Sequence, residues 1–186
     1  MTELSAGQFE LVCNFFSMTI AAMGAAFIFF TGVRSLVAPK FHVAMLVSSA
    51  IVAITCYNYF CIASSWKDAF ILSGSGTYVP SGRPFNNGLH LFDWILTGPL
   101  IAVALVAVQR KMPPEQIIPW HSTVRLLLIV TLVLYPISFM LPIFGINVDI
   151  HMKNIQIGYA LSDLATKVFY GVLIYRVACI KSETEN

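Results

Sequence analysis

The stretch Ala160-Leu-Ser-Asp163-Leu-Ala-Thr-Lys167-Val-Phe-Tyr-Gly171 places an acid four residues before a base. It lies between the apolar runs IQIGYAL and VFYGVLIY. On a helix, positions i and i+4 share a face and stand about 6 Å apart along the axis. Asp163 and Lys167 therefore face the same way inside a segment that reads as a membrane span. Ionisable groups at that depth are costly and usually functional, each with a partner nearby. One reading is an ion pair that only fixes helix packing. The other is chemical, because a buried amine is suited to forming a Schiff base with an aldehyde.

The rest of the chain supports a bilayer setting. Of 186 residues, 58% are apolar and 11% charged, against about 25% charged in an ordinary soluble domain. The formal net charge of +2 comes without a basic cluster, so no nucleic-acid partner is expected. Cys13, Cys56, Cys61 and Cys179 lie in or beside apolar segments. Their spacing suits neither a metal site nor a disulfide framework. A span needs about 20 apolar residues, and five candidates are present, at roughly 9–37, 42–65, 86–108, 118–145 and 155–180. The predicted fold is an all-α membrane protein of five transmembrane helices in a single domain, residues 1–186. The link between the second and third spans contains SGSGTYVPSGRP, whose Gly, Pro and Ser punctuation suggests a short hairpin. No cleavable signal peptide is expected ahead of the first span.

Lys/Arg asymmetry predicts orientation. Arg34, Lys40, Arg110, Lys111, Arg125, Arg176 and Lys181 fall on one side and Lys67, Arg83 and Lys153 on the other. The amino terminus is therefore expected outside the cell membrane and the carboxyl terminus in the cytoplasm. The third span also carries ionisable residues, His90 and Asp93.

Four motifs in order resemble the microbial (type 1) rhodopsins, most closely the proteorhodopsin and xanthorhodopsin branch. DLATKVFYG at 163–171 resembles their last helix, and LFDWILTGPL at 91–100 resembles their third. LYPISFMLP at 134–142 resembles the penultimate helix, while YNYF at 57–60 and TYVPSG at 77–82 match that branch. The resemblance implies all-trans retinal bound covalently to Lys167. It makes Asp93 the main counterion and proton acceptor, and Asp163 the second counterion. Trp94, Thr97, Gly98, Ile101, Leu132, Tyr135, Pro136, Phe139, Tyr159 and Thr166 would line the polyene. A protonated Schiff base in a dry pocket needs a nearby anion to stay protonated.

Departures from the family bear on mechanism. The family has seven helices, and here the third-helix match leads through QRKMPPEQIIPW almost directly to the sixth-helix match. Counterparts of its fourth and fifth helices are missing, which would open the ring end of the pocket to lipid. Leu132 and Phe139 stand where tryptophan is usual. His90 replaces an arginine, and Asn58 replaces the histidine that partners the counterion, so these two form the expected proton network. Ala104 replaces the carboxylate that reprotonates the Schiff base. The expected function is a photosensor or weak proton mover rather than an enzyme. An outward light-driven proton pump is the alternative, and a membrane scaffold without photochemistry is the second. Besides the bilayer, the expected partner is the protein itself, as a trimer or larger ring that replaces the missing wall.

Overall fold

The computed structural model describes residues 3–109 and 148–183. Strand β1 (Leu4–Ser5) leads into α1 (Ala6–Val33), followed by the 3₁₀ turns Arg34–Leu36 and Pro39–Phe41. Next come α2 (His42–Ala69), β2 (Phe70–Leu72), β3 (Thr77–Pro80) and α3 (Gly88–Gln109). The chain resumes in α4 (Val148–Asp163), a π-helical segment (Leu164–Phe169) and α5 (Tyr170–Glu183). These last three are consecutive and make one long helical rod.

Four helices are long and apolar enough to cross a membrane among the described residues: Ala6–Leu36, Pro39–Ala69, Gly88–Val108 and Met152–Glu183. They correspond to the first, second, third and fifth expected spans. The expected fourth span, 118–145, lies outside the described residues, together with Leu132, Tyr135, Pro136 and Phe139. The first helix starts at Ala6 rather than near residue 9. Its start is set by a capping box, in which the Ser5 hydroxyl accepts from the Gln8 amide (3.3 Å) while Gln8 Oε1 accepts from the Ser5 N–H (3.1 Å). The last helix begins at Val148, two turns before the expected 155, and Met152 in that extension is buried.

Each helix is apolar nearly all round, as suits a rod that meets protein on one side and lipid on the other. On α1, Phe9, Val12, Phe16, Thr19, Met23, Ala26 and Phe30 are buried at alternating spacings of three and four. Ile28, on the opposite side, is 72% exposed. On α3 the inward residues are His90, Asp93, Thr97, Ile101, Ala104 and Val108, again at helical spacing. Without a hydrophobic driving force inside lipid, close packing and interhelical hydrogen bonds hold such helices together. Thr31 Oγ1 donates to Ser49 Oγ (3.2 Å) between α1 and α2, and Tyr170 donates to the Ile101 carbonyl (3.2 Å) between the last rod and α3.

The strands form an antiparallel sheet in the order β1-β3-β2, with Leu4 opposite Tyr78 and Phe70 opposite Pro80. Gly76 sits at φ 81° in the turn between β2 and β3, a conformation that only glycine adopts freely. Tyr78 stacks on Phe9 with centroids 3.8 Å apart, over a buried cluster of Phe16, Trp66, Phe70 and Phe85. The opposite end is tied by Ser182, whose hydroxyl accepts from the Ala38 amide (2.8 Å). There Lys181 donates to the Val108 carbonyl near the end of α3.

Where the last rod crosses α1, a Cβ added at Gly171 would overlap the fully buried ring of Phe30. Gly→Ala in a helix normally stabilises by roughly 0.5–1 kcal/mol, whereas overpacking costs about 1–3 kcal/mol. Overlap dominates, so Gly171→Ala is expected to destabilise the folded protein in an unfolding titration in detergent. A variant as stable as the parent would show that the two helices are not in this contact.

Candidate functional site

One ion pair joins α3 to the last rod, a second lies within that rod, and α2 supplies hydrogen bonds to both. Lys167 lies in the π-helical segment and is 3% exposed, while Asp93 and Asp163 are 1% and 0% exposed. The Lys167 amine donates to Oδ1 of Asp163 (2.7 Å) and also to Oδ2 of Asp93. Burying a single charge costs several kcal/mol, offset only by good ionic geometry and further hydrogen bonds. Those further bonds come from α2. Thr55 Oγ1 donates to Oδ1 of Asp93 (3.0 Å), and the Tyr59 hydroxyl donates to Oδ2 of Asp163 (2.7 Å). All four carboxylate oxygens are thereby engaged.

The arrangement rests on helical repeats. Thr55 and Tyr59 stand one turn apart on α2, as Asp163 and Lys167 do on the last rod. Asp93 reaches between them from α3. The π-helical segment covers Lys167 itself, and single π turns within α-helices are frequent at functional sites. Nothing in the sequence pattern distinguishes it from a regular turn. Thr166 donates to the Ser162 carbonyl (2.8 Å), and Thr97 to the Asp93 carbonyl (2.8 Å), so both hydroxyls are used within their own helices.

Asn58 does not sit beside the counterion, contrary to the expected network. Its amide donates to the Leu89 carbonyl (3.0 Å), bracing the start of α3, and Thr55 takes the place against Asp93. Thr55 stands about one turn earlier than Asn58 on α2, level with Asp93. His90 makes its hydrogen bond to Gln156 rather than to a carboxylate. Its Nε2 meets Gln156 Oε1 at 2.8 Å, and Gln156 Nε2 donates to Asn87 Oδ1 at 3.0 Å. Thr55, Tyr59 and Gln156 are therefore site residues that the sequence reading missed. The available signal was the pairing of Thr55 and Tyr59 one turn apart in an apolar span.

Beside this cluster, Trp94 and Tyr159 meet edge to face at 5.2 Å and Ile101 is buried. Among the described residues, a Cβ at Gly98 would meet no atom within 4 Å. A buried amine flanked by anions, next to the aromatic rings of Trp94 and Tyr159, is suited to carrying an apolar group as a Schiff base.

No protein-family model matches the chain, and neither does any protein of curated function. Solved structures do match. Xanthorhodopsin, a light-driven ion pump with dual chromophore, is 31% identical with a TM-score of 0.88, the match covering 100% of this chain and 98% of that one. Thermophilic rhodopsin is 30% identical with a TM-score of 0.90, covering 100% and 99%. A blue light-absorbing proteorhodopsin from Med12, at 18% identity and a TM-score of 0.68, shares the fold over 93% of this chain and 98% of its own. With those likenesses and its membrane-spanning helices, the chain belongs to the microbial (type 1) rhodopsins.

Proposed function

We propose that this protein binds all-trans retinal as a protonated Schiff base on Lys167 and works as a photosensor or weak proton mover in the cell membrane. The observation that carries the reading is the Lys167 amine, buried between Asp93 and Asp163 in a rhodopsin fold. When bound, retinal supplies visible absorption and a light-driven change of shape. The chain supplies the rest. Asp93 acts as principal counterion and Asp163 as the second, with Thr55 and Tyr59 holding each in place. Trp94, Thr97, Gly98, Ile101, Tyr159 and Thr166 would line the polyene, joined by Leu132, Tyr135, Pro136 and Phe139 from the expected fourth span over 118–145.

Spectra of variants test the site. Lys167→Ala is expected to lose all visible absorbance with retinal while still inserting in the membrane. Asp93→Asn is expected to shift the band to longer wavelength more than Asp163→Asn does, because loss of the main anion destabilises the ground-state cation. The two carboxylates share their titration, so the apparent values belong to the pair. A visible band retained in Lys167→Ala would refute the attachment point, and a larger shift in Asp163→Asn would reverse the two roles.

Transport is the finer question. Ala104 is buried on the same α3 face as Asp93, where a carboxylate donor would be needed for rapid reprotonation. Weak outward proton movement is therefore expected, with slow photocycle recovery that azide, a small soluble proton carrier, accelerates. The second reading, an outward pump, is favoured by the 31% identity to xanthorhodopsin. A large sustained light-driven acidification of the medium without azide would establish it. The Lys/Arg distribution supports an amino terminus outside and a carboxyl terminus in the cytoplasm.

We further propose that copies of the chain, in a trimer or larger closed ring, supply the wall that the family's fourth and fifth helices form elsewhere. Phe92, Ile95 and Val103 on α3 are 59%, 62% and 49% exposed within one chain. Lipid covers such faces at little cost, but it does not hold a ligand ring in one orientation. Mass measurement in lipid nanodiscs is expected to give an oligomer. A monomer with its full visible band and normal retinal retention would exclude neighbours as the wall.

A further inference from the structure

His90 carries a nitrogen that the ion-pair cluster does not use. The Gln156 amide nitrogen donates to Asn87 Oδ1 (3.0 Å) and to Met152 Sδ (3.6 Å), both acceptors. Its oxygen is therefore the atom that faces His90, at 2.8 Å from Nε2. An amide oxygen only accepts, so Nε2 carries the proton and Nδ1 carries a lone pair. That Nδ1 is buried and has no hydrogen-bond partner among the described residues. Buried polar atoms without partners are few, and each needs a reason.

The surroundings supply one. Tyr59 from α2 lies edge-on to the His90 ring at 6.0 Å and itself donates to Asp163. From the last rod, Tyr159 lies 4.8 Å away, with Asp163 and Lys167 about one and two turns further along. Asp93 and Trp94 stand beside it on α3, the Trp94 ring 6.1 Å away. With both carboxylates ionised, two anions face one cation. If Lys167 becomes neutral, nothing in the cluster balances them. An imidazole lone pair, buried among rings that border that cluster, is a base able to restore a cation.

We propose that Nδ1 of His90 is a second proton-holding site of the Asp93–Lys167–Asp163 cluster, filled when Lys167 loses its positive charge. The proton leaves the Lys167 nitrogen, which becomes neutral. The carboxylate that receives it gives up a proton to Nδ1 and returns to the anion. The Nδ1 lone pair becomes an N–H bond, the imidazolium keeps its Nε2–H on Gln156, and the net charge of the group is unchanged. Use of this site in a light cycle rests on the reading above, but the basicity of the atom does not.

The test needs no chromophore. The full chain, labelled with ¹⁵N-histidine and reconstituted in nanodiscs without retinal, is examined by NMR, with His90→Asn to assign the signal. In the parent at neutral pH, Nε2 is expected protonated and Nδ1 bare. In Lys167→Met the cation is gone, and the doubly protonated fraction of His90 is expected to rise about tenfold or more, as a nearby unpaired anion favours the charged form. Where Lys167→Met does not fold, Asp163→Asn carries the test in the opposite sense, lowering that fraction at acid pH. A proton on Nδ1 with Nε2 bare in the parent would overturn the proposal, as would protonation that ignores both substitutions. Because retinal plays no part, failure of the chromophore reading would appear only in the separate absorbance experiment.

Discussion

An amine cannot stay charged inside a bilayer without anions, and anions cannot stay there without donors. Lys167 and its two aspartates satisfy one another, with Thr55 and Tyr59 completing the set. Breaking such a buried pair by removing one member costs about 3–5 kcal/mol. That penalty makes the cluster a register lock. It holds only if α2, α3 and the last rod stand at one particular height and rotation relative to each other.

Other contacts agree with that register. Three residues beyond Lys167, Tyr170 bonds to the Ile101 carbonyl, and towards the sheet Asn58 bonds to the Leu89 carbonyl. The sheet and its aromatic cluster close one end, and Lys181 and Ser182 tie the other. Gly171 lets the last rod approach Phe30 on α1. The polar contacts select one arrangement among helices that would otherwise slide, since apolar faces in lipid have little preference among neighbours.

How much of this was legible in the sequence follows from what each feature depends on. Asp163 and Lys167 were readable because both charges lie on one helix, and helical spacing alone pairs them. Asp93 was readable from its motif, although its contact with Lys167 depends on tertiary register. Thr55 and Tyr59 were not singled out, because a threonine and a tyrosine in an apolar span are common packing residues. Their role appears only once α2 is placed against two aspartates. Asn58 was expected in the proton network, and its bond to the Leu89 carbonyl likewise appears only once α2 is placed against α3. Gln156 lay near the edge of a span drawn from hydropathy, where a polar residue looks like an end rather than a partner for His90. The π-helical segment has no sequence signature at all, since its residues are ordinary helix residues.

The central claim is that Lys167 is the covalent attachment point for retinal. The most direct measurement incubates the full chain with all-trans retinal and reduces the adduct with borohydride. The hydride converts the C=N bond to a stable amine, and the modified peptide is then located by mass spectrometry. The account predicts one retinyl group, on the peptide that contains Lys167. A retinyl group on a different lysine, or none on any, would contradict it.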